Sequence, residues 1–219
     1  YFGKLFWAGQ TWDSRVPFMK KTLCEELDNF KELRKYRILE IGCWAGQSSV
    51  IWAKILKESG KKGRVYCLDF WRSFPGLPKQ IQWAFSHDII FKLFIYNIKT
   101  AGVDDFIDIL RGNSNDFSSV FKKDFFDFIY IDGGHDFSQV SSDIQNYLPL
   151  LRSGGILCGD DLELQLHEVC EDVALKNSNI WTMIYDPKTS KAYHPGVTLA
   201  VGKYLGVVLS QNGFWHIKK

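Results

Sequence analysis

Three acids and a histidine close two apolar runs. FDFIYID (126–132) ends on Asp132 and is followed by Gly133, Gly134 and His135; GGILCGD (154–160) ends on Asp160, with Asp161 next. The paired glycines give the chain freedom to bend, so that Asp132 and His135 can face one cleft. An imidazole, with an unperturbed pKa near ~6.5, is suited to taking the proton of a poor nucleophile such as an aliphatic hydroxyl. If the two runs are neighbouring strands, Asp132, Asp160 and Asp161 converge on one cation. Oxygen ligands alone favour Mg2+ or a similar hard ion. Blander readings stand beside these: a polar tight turn, acids facing solvent, or Asp161 capping a helix from Leu162.

A second group lies upstream. LEIGCWAGQSS carries Glu40, Gly42, Gly46 and Ser48 directly after an apolar run. Its G-x-x-x-G spacing is neither the dinucleotide fingerprint nor the phosphate-binding loop. Asp69 follows 27 residues after Gly42 at the end of VYCLD, where a carboxylate can accept both hydroxyls of a ribose. Asn113 and Ser114, in RGNSNDF, are placed to read the edge of a base. Together these positions fit a nucleoside-bearing cofactor.

The elements that must position these residues alternate. Strand-like runs stand at 36–42, 63–70, 105–112, 126–132 and 154–160. Helical spacing is found at 47–59, along a partly helical stretch at 79–102, and after 137, where Ser138 is a candidate cap. Near-continuous apolar strands alternating with helices indicate an α/β fold with a parallel sheet covered on both faces. Beyond 162 a helix is expected over 163–177, and strands at 180–186, 196–205 and 213–219, the last two flanking SQNG as a hairpin. Residues 1–35 form an N-terminal helical extension outside this alternation, placed to cover a site or form a homo-oligomer contact; 36–219 form the main domain.

The motifs ILEIGCWAGQSS, VYCLDFW, ILRGNS and FDFIYIDGGH…LLRSGGILCGDD resemble, in this order over residues 36–162, those of class I S-adenosylmethionine-dependent methyltransferases. The nearest pattern is the small metal-dependent O-methyltransferase branch with catechol-type and macrolide-sugar enzymes. The resemblance implies a doubly wound, mostly parallel seven-stranded sheet with an antiparallel C-terminal strand. It also implies Glu40, Gly42, Gly46 and Ser48 around the methionine end of S-adenosylmethionine, Asp69 on the ribose and Phe70 against the adenine. Asn113 and Ser114 would meet the adenine edge, and Asp132 would border the cofactor. Asp132, Asp160 and Asp161 would hold Mg2+; sugar-methylating members carry two acids in the second position, as here. His135 matches the histidine that serves as base in those relatives. The implied activity is methyl transfer to a hydroxyl of a small molecule or glycan, sugar-like in character. The alternatives are metal-independent transfer to a phenolic or nitrogen acceptor, and a cofactor-binding protein without catalysis.

The segment 69–85 is aromatic and follows Asp69, so Trp71, Phe74 and Trp83 either wall the cleft or pack onto the core. His87, His167 and His216 read as packing or surface residues, and His194, before Pro195, as a loop residue within reach of a substrate. A formal charge of +2 over 219 residues gives no case for nucleic acid, and no Asn/Asp-Pro-Pro-Tyr/Phe run points to a base amino group. No stretch is apolar enough for a membrane span. Five widely spaced cysteines without a CxxC read as free thiols in a reducing compartment, with the cytoplasm as expected location.

Overall fold

The computed structural model describes residues 5, 13–73 and 77–219. The five apolar runs become strands β1 (Tyr36–Ile41), β2 (Gly63–Asp69), β3 (Ile107–Arg111), β4 (Phe126–Ile131) and β5 (Leu151–Leu162). A small separate hairpin is made by β6 (Ile184–Tyr185) and β7 (Ala192–Tyr193), and the chain closes with β8 (Leu209–Gln211) and β9 (Gly213–Lys218). The main sheet has seven strands in the order β3-β2-β1-β4-β5-β9-β8. Its first five are parallel, while β9 runs antiparallel to β5 and to β8. The chain winds outward from β1 to β3, then restarts at β4 on the other side of β1. That reversal opens a crevice at the carboxyl ends of β1 and β4, where ligands bind in such sheets.

Alternating strand residues feed two cores, since successive side chains face opposite ways. On one face Ile38, Val65, Phe128 and Tyr130 pack with Trp52 and Phe94. On the other, Leu39, Leu68, Ile129 and Ile131 meet Ile144, Tyr147, Val197 and Trp215. Helix α1 (Val16–Asn29) opens with Pro17 in its first turn and buries Met19, Leu23 and Leu27 in the first of these cores. Each such fully buried apolar side chain contributes roughly 1.5–3 kcal/mol, so the N-terminal helix is firmly docked.

Helix α2 (Gln47–Glu58) follows β1 as expected. The stretch 79–102 divides into α3 (Lys79–Ser86) and α4 (Ile89–Thr100), because Asp88 adopts a left-handed conformation with φ 57° between them. After the short α5 (Ser114–Phe117), helix α6 (Phe137–Tyr147) is capped by Asp136, whose Oδ1 accepts from Gln139 N at 3.0 Å; Ser138 lies inside the helix. The expected helix at 163–177 is a short 3-10 turn at Leu166–Glu168 plus α7 (Glu171–Lys176).

The strand expected at 196–205 is helix α8 (Pro195–Leu205). A continuous apolar run reads alike for a buried strand and a buried helix; Pro195 in the first turn favours the helix. The hairpin at SQNG does form, through Asn212 (φ 53°) and Gly213 (φ 90°), but its first strand is β8. Among the described residues no helix is long and apolar enough to cross a membrane. The five cysteines are free.

Candidate active site

The crevice is a cavity of about 740 Å3, within the range of small-molecule sites. Gly42, Asp69, Phe70, Asn113 and Ser114 line it on the β1–β3 side, and Asp132, His135, Asp160 and Asp161 on the β4–β5 side.

The β1 loop is shaped by close approach. Gly42 has φ +87°, and a Cβ there would lie 2.0 Å from the Asp132 carbonyl oxygen; only glycine lets β1 and β4 come so near. Asp69 holds the rest of the loop. Its Oδ2 accepts from the backbone N–H of Cys43 and Trp44, both at 2.8 Å, and its Oδ1 from that of Trp71 at 2.6 Å. Burial raises its pKa against those three donors.

Glu40 and Ser48 stand behind this loop, fully buried and off the cavity wall. The hydroxyls of Ser48 and Ser49 donate to the Glu40 carboxylate, which burial pushes up to about 7 against those bonds. Glu40 and Ser48 thus brace the loop from behind and do not line the cavity themselves. Gly46 starts α2 against Phe94, also off the wall.

Phe70 is 44% exposed at the cavity, with the Arg72 guanidinium 5.3 Å from its ring centroid. Asn113 Oδ1 caps α5, and Ser114 Oγ donates to Asp143 Oδ1 at 2.7 Å. Trp71 is core, packed on Phe91 and Phe94, and its Nε1 donates to Trp44 O at 2.8 Å. Trp83 is exposed. Phe74 lies outside the described residues. Of the nearby rings, Trp44 and Phe85 reach the wall instead.

The other side concentrates charge. In a regular strand Asp160 and Asp161 would point to opposite faces. Here the β5–β9 register shifts between Gly159 and Leu162, and Asp161 takes φ 63°. This irregularity turns both carboxylates onto one partner, as bulges beside active sites do. The partner is Arg15: its Nη1 lies 2.6 Å from Asp160 Oδ2 and 2.9 Å from Asp161 Oδ1. Arg15 Nη2 reaches Glu163 Oε1 at 2.9 Å, and Nε donates to Asn212 O at 2.7 Å.

His135 Nε2 lies 2.9 Å from Asp161 Oδ2, and its Nδ1 faces the Trp181 carbonyl at 3.2 Å. Both neighbours only accept, so both ring nitrogens carry protons. Burial disfavours that imidazolium, but Asp161 outweighs burial and raises its pKa. Trp181 stacks on the ring at 4.6 Å, and His194 meets its edge while pairing with Glu163 Oε2 at 3.2 Å. Asp132 accepts from the Tyr130 hydroxyl at 3.2 Å. Burial, with Asp160 and Asp161 nearby, raises its pKa well above the carboxylate range. The same influences lift Asp160 to about 6 despite Arg15, while Asp161 is lowered, His135, His194 and Arg15 overcoming its burial.

Most of the oxygens that a divalent ion on Asp132, Asp160 and Asp161 would use are already paired: Asp160 Oδ2 and Asp161 Oδ1 with Arg15, Asp161 Oδ2 with His135 and Asp132 Oδ2 with the Tyr130 hydroxyl, while Asp160 Oδ1 is buried without a partner. His135, Asp161 and His194 do bring ligand-capable atoms within 4.8 Å of one another, but Asp161 is shared with Arg15 and the His135 nitrogens are protonated. Residues that the sequence did not single out are Arg15, Gln139, Asp143 and Trp181. Asp143, one turn from Gln139 on α6, left a faint signal as an acid on the face that buries Val140, Ile144 and Tyr147. Arg15 left none.

Fold and crevice together define a class I S-adenosylmethionine-dependent methyltransferase. A family model described as "Methyltransferase domain" matches residues 39–162, and the chain belongs to that family. Among curated proteins, none matches the chain in sequence. Solved structures of similar fold include a Bacillus cereus O-methyltransferase in complex with S-adenosylhomocysteine, 19% identical, with a TM-score of 0.59 over 97% of this chain and 84% of that one. TomG, an O-methyltransferase of Streptomyces achromogenes in complex with S-adenosylmethionine, is 16% identical, with a TM-score of 0.57 over 94% and 78%. The Podospora anserina methyltransferase PaMTH1, bound to S-adenosylhomocysteine, is 16% identical, with a TM-score of 0.59 over 94% and 78%.

Proposed function

We propose that this chain transfers the methyl group of S-adenosylmethionine to a hydroxyl of a small, uncharged, sugar-like acceptor. The observation that carries the reading is one continuous cavity joining the Gly42–Asp69–Ser114 side to the Asp132–His135–Asp161 side. When bound, the cofactor supplies an activated methyl group whose sulfur leaves as a neutral thioether, so positioning the acceptor oxygen does much of the work.

Asp132 is the residue placed to take the hydroxyl proton. It lines the cavity, and burial beside Asp160 and Asp161 raises its proton affinity, which favours it as the proton acceptor. His135, for which the sequence suggested this role, has no free lone pair in its present hydrogen bonds; it serves as a cation that orients Asp161. The carboxylates disfavour anionic acceptors and accept hydrogen bonds from neutral hydroxyls, and the flat faces of Trp44 and Trp181 suit a sugar ring. The reading carries no step through Mg2+, since Asp160 Oδ2 and Asp161 Oδ1, two of the oxygens that would hold it, are paired to Arg15.

The test is calorimetry with S-adenosylhomocysteine, followed by transfer of labelled methyl to matched panels of neutral glycosides, phenols and amines. Binding and labelling of glycosides is the expected result. Labelling confined to amines would sink the hydroxyl assignment, and absence of cofactor binding would sink the whole reading.

A further inference from the structure

The acceptor side gathers four carboxylates, Asp132, Asp160, Asp161 and Glu163, and all but Asp132 pair with one strong cation supplied by the chain itself. We propose that Arg15 is the resident cation of this site: its guanidinium takes the place a divalent ion would hold, and methyl transfer here proceeds without added metal. The proposal deepens the hydroxyl-methylation reading and rests on it.

Three separate parts of the chain are built to hold this one side chain. Helix α1, anchored by Met19, Leu23 and Leu27, fixes Arg15 from the N-terminal side. The β5 irregularity turns Asp160 and Asp161 together onto Nη1. The β8–β9 hairpin offers the Asn212 carbonyl to Nε and places Gly213 where a Cβ would stand 2.7 Å from Nη2. Arg15 is 5% exposed and also lines the cavity.

A guanidinium suits the task. Its planar fork spans several carboxylates at once and never gives up its proton, which a compact ammonium cannot match. It neutralises Asp160 and Asp161 without drawing electrons from the acceptor oxygen as a Lewis acid would. The proton of the hydroxyl must then go to a carboxylate, and Asp132 is the one that Arg15 leaves uncovered. Arg15 thus acts as a positioning residue for Asp160, Asp161 and, through Asp161, His135.

The deciding experiment is a titration of the intact protein with Mn2+, followed by calorimetry and by the spin signal of the free ion, beside a turnover assay after chelation. The expected result is no Mn2+ binding at the site and turnover changed by less than about twofold. Arg15→Ala empties the guanidinium from the carboxylates, and is expected to gain Mn2+ affinity by at least about tenfold. Arg15→Lys keeps a charge without the fork and should retain the wild-type indifference to Mn2+. Wild-type Mn2+ binding that Asp160→Asn abolishes would overturn the proposal, and so would a folded Arg15→Ala variant that gains none. If Arg15→Ala does not fold, the wild-type titration still decides. The titration needs no acceptor, so its outcome is independent of any failure of the substrate assignment.

Discussion

The two sides of the cavity are made of different material. On the β1–β3 side, backbone and short polar groups do the shaping: Gly42 lies against Asp132, Asp69 gathers three backbone N–H groups, and Ser114 pairs with Asp143. On the β4–β5 side, side-chain charges do it: four acids, one guanidinium and two imidazoles lie within hydrogen-bond or ion-pair reach of their neighbours. On the proposed reading the first side is the mould for the cofactor. The second is an electrostatic balance in which each group sets its neighbour's proton affinity, and it is therefore the side where single substitutions act on chemistry rather than on binding.

The contrast is broken most forcefully at Asp132. Asp132→Asn is expected to lower kcat by about 10^2–10^4-fold, while affinity for S-adenosylhomocysteine stays nearly unchanged; equal losses in both would erase the distinction between the sides. The pH dependence carries a sign. With a raised pKa, Asp132 holds its proton at low pH and accepts none, so kcat/KM climbs as pH rises through that pKa. In Asp132→Asn the rising limb disappears, which a pH–rate profile measures.

Next comes Arg15. Replacing it by Met leaves buried carboxylates uncompensated, and denaturant unfolding should register a loss of about 3–5 kcal/mol. Because the site would be relieved by protonating Asp160 and Asp132, that loss should shrink as pH falls.

Asp69→Asn acts on the first side instead. Losing charge-assisted bonds to Cys43 and Trp44 is expected to weaken S-adenosylhomocysteine binding by about 1.5–3 kcal/mol, read by calorimetry, with little change in single-turnover rate at saturating cofactor. The smallest effect is at the seam: Asp136→Ala removes the α6 cap and should cost about 1 kcal/mol in thermal or denaturant unfolding, leaving the Arg15–Asp160–Asp161–His135 pairs in place.

Much of the β1–β3 side was legible in the sequence. Its residues sit directly after apolar runs, and the carboxyl ends of neighbouring parallel strands must meet in space, so Gly42, Asp69, Asn113 and Ser114 fall on one wall without further information. Glu40 and Ser48 belong to the same motif, yet the motif does not say which side of the loop a side chain faces; packing turned them inward. The run 196–205 became a helix because apolarity alone does not separate buried helix from buried strand, and Gly196 is then needed where α8 presses on the loop, 2.3 Å from His135 O for an added Cβ.

By itself, then, the sequence determined the alternation of strands and helices and the acids that end β4 and β5, because these depend on short-range pattern. The identity of the cation facing those acids was decided only by the tertiary structure. Arg15 is 146 residues from Asp161, in a segment whose spacing speaks of a docked helix and nothing more. It reaches the acids because α1 buries its apolar face beside β1, β5 breaks register at Asp161, and the final hairpin turns a glycine toward the guanidinium. No local pattern encodes that meeting; it exists only once the two ends of the chain have packed against the same strand.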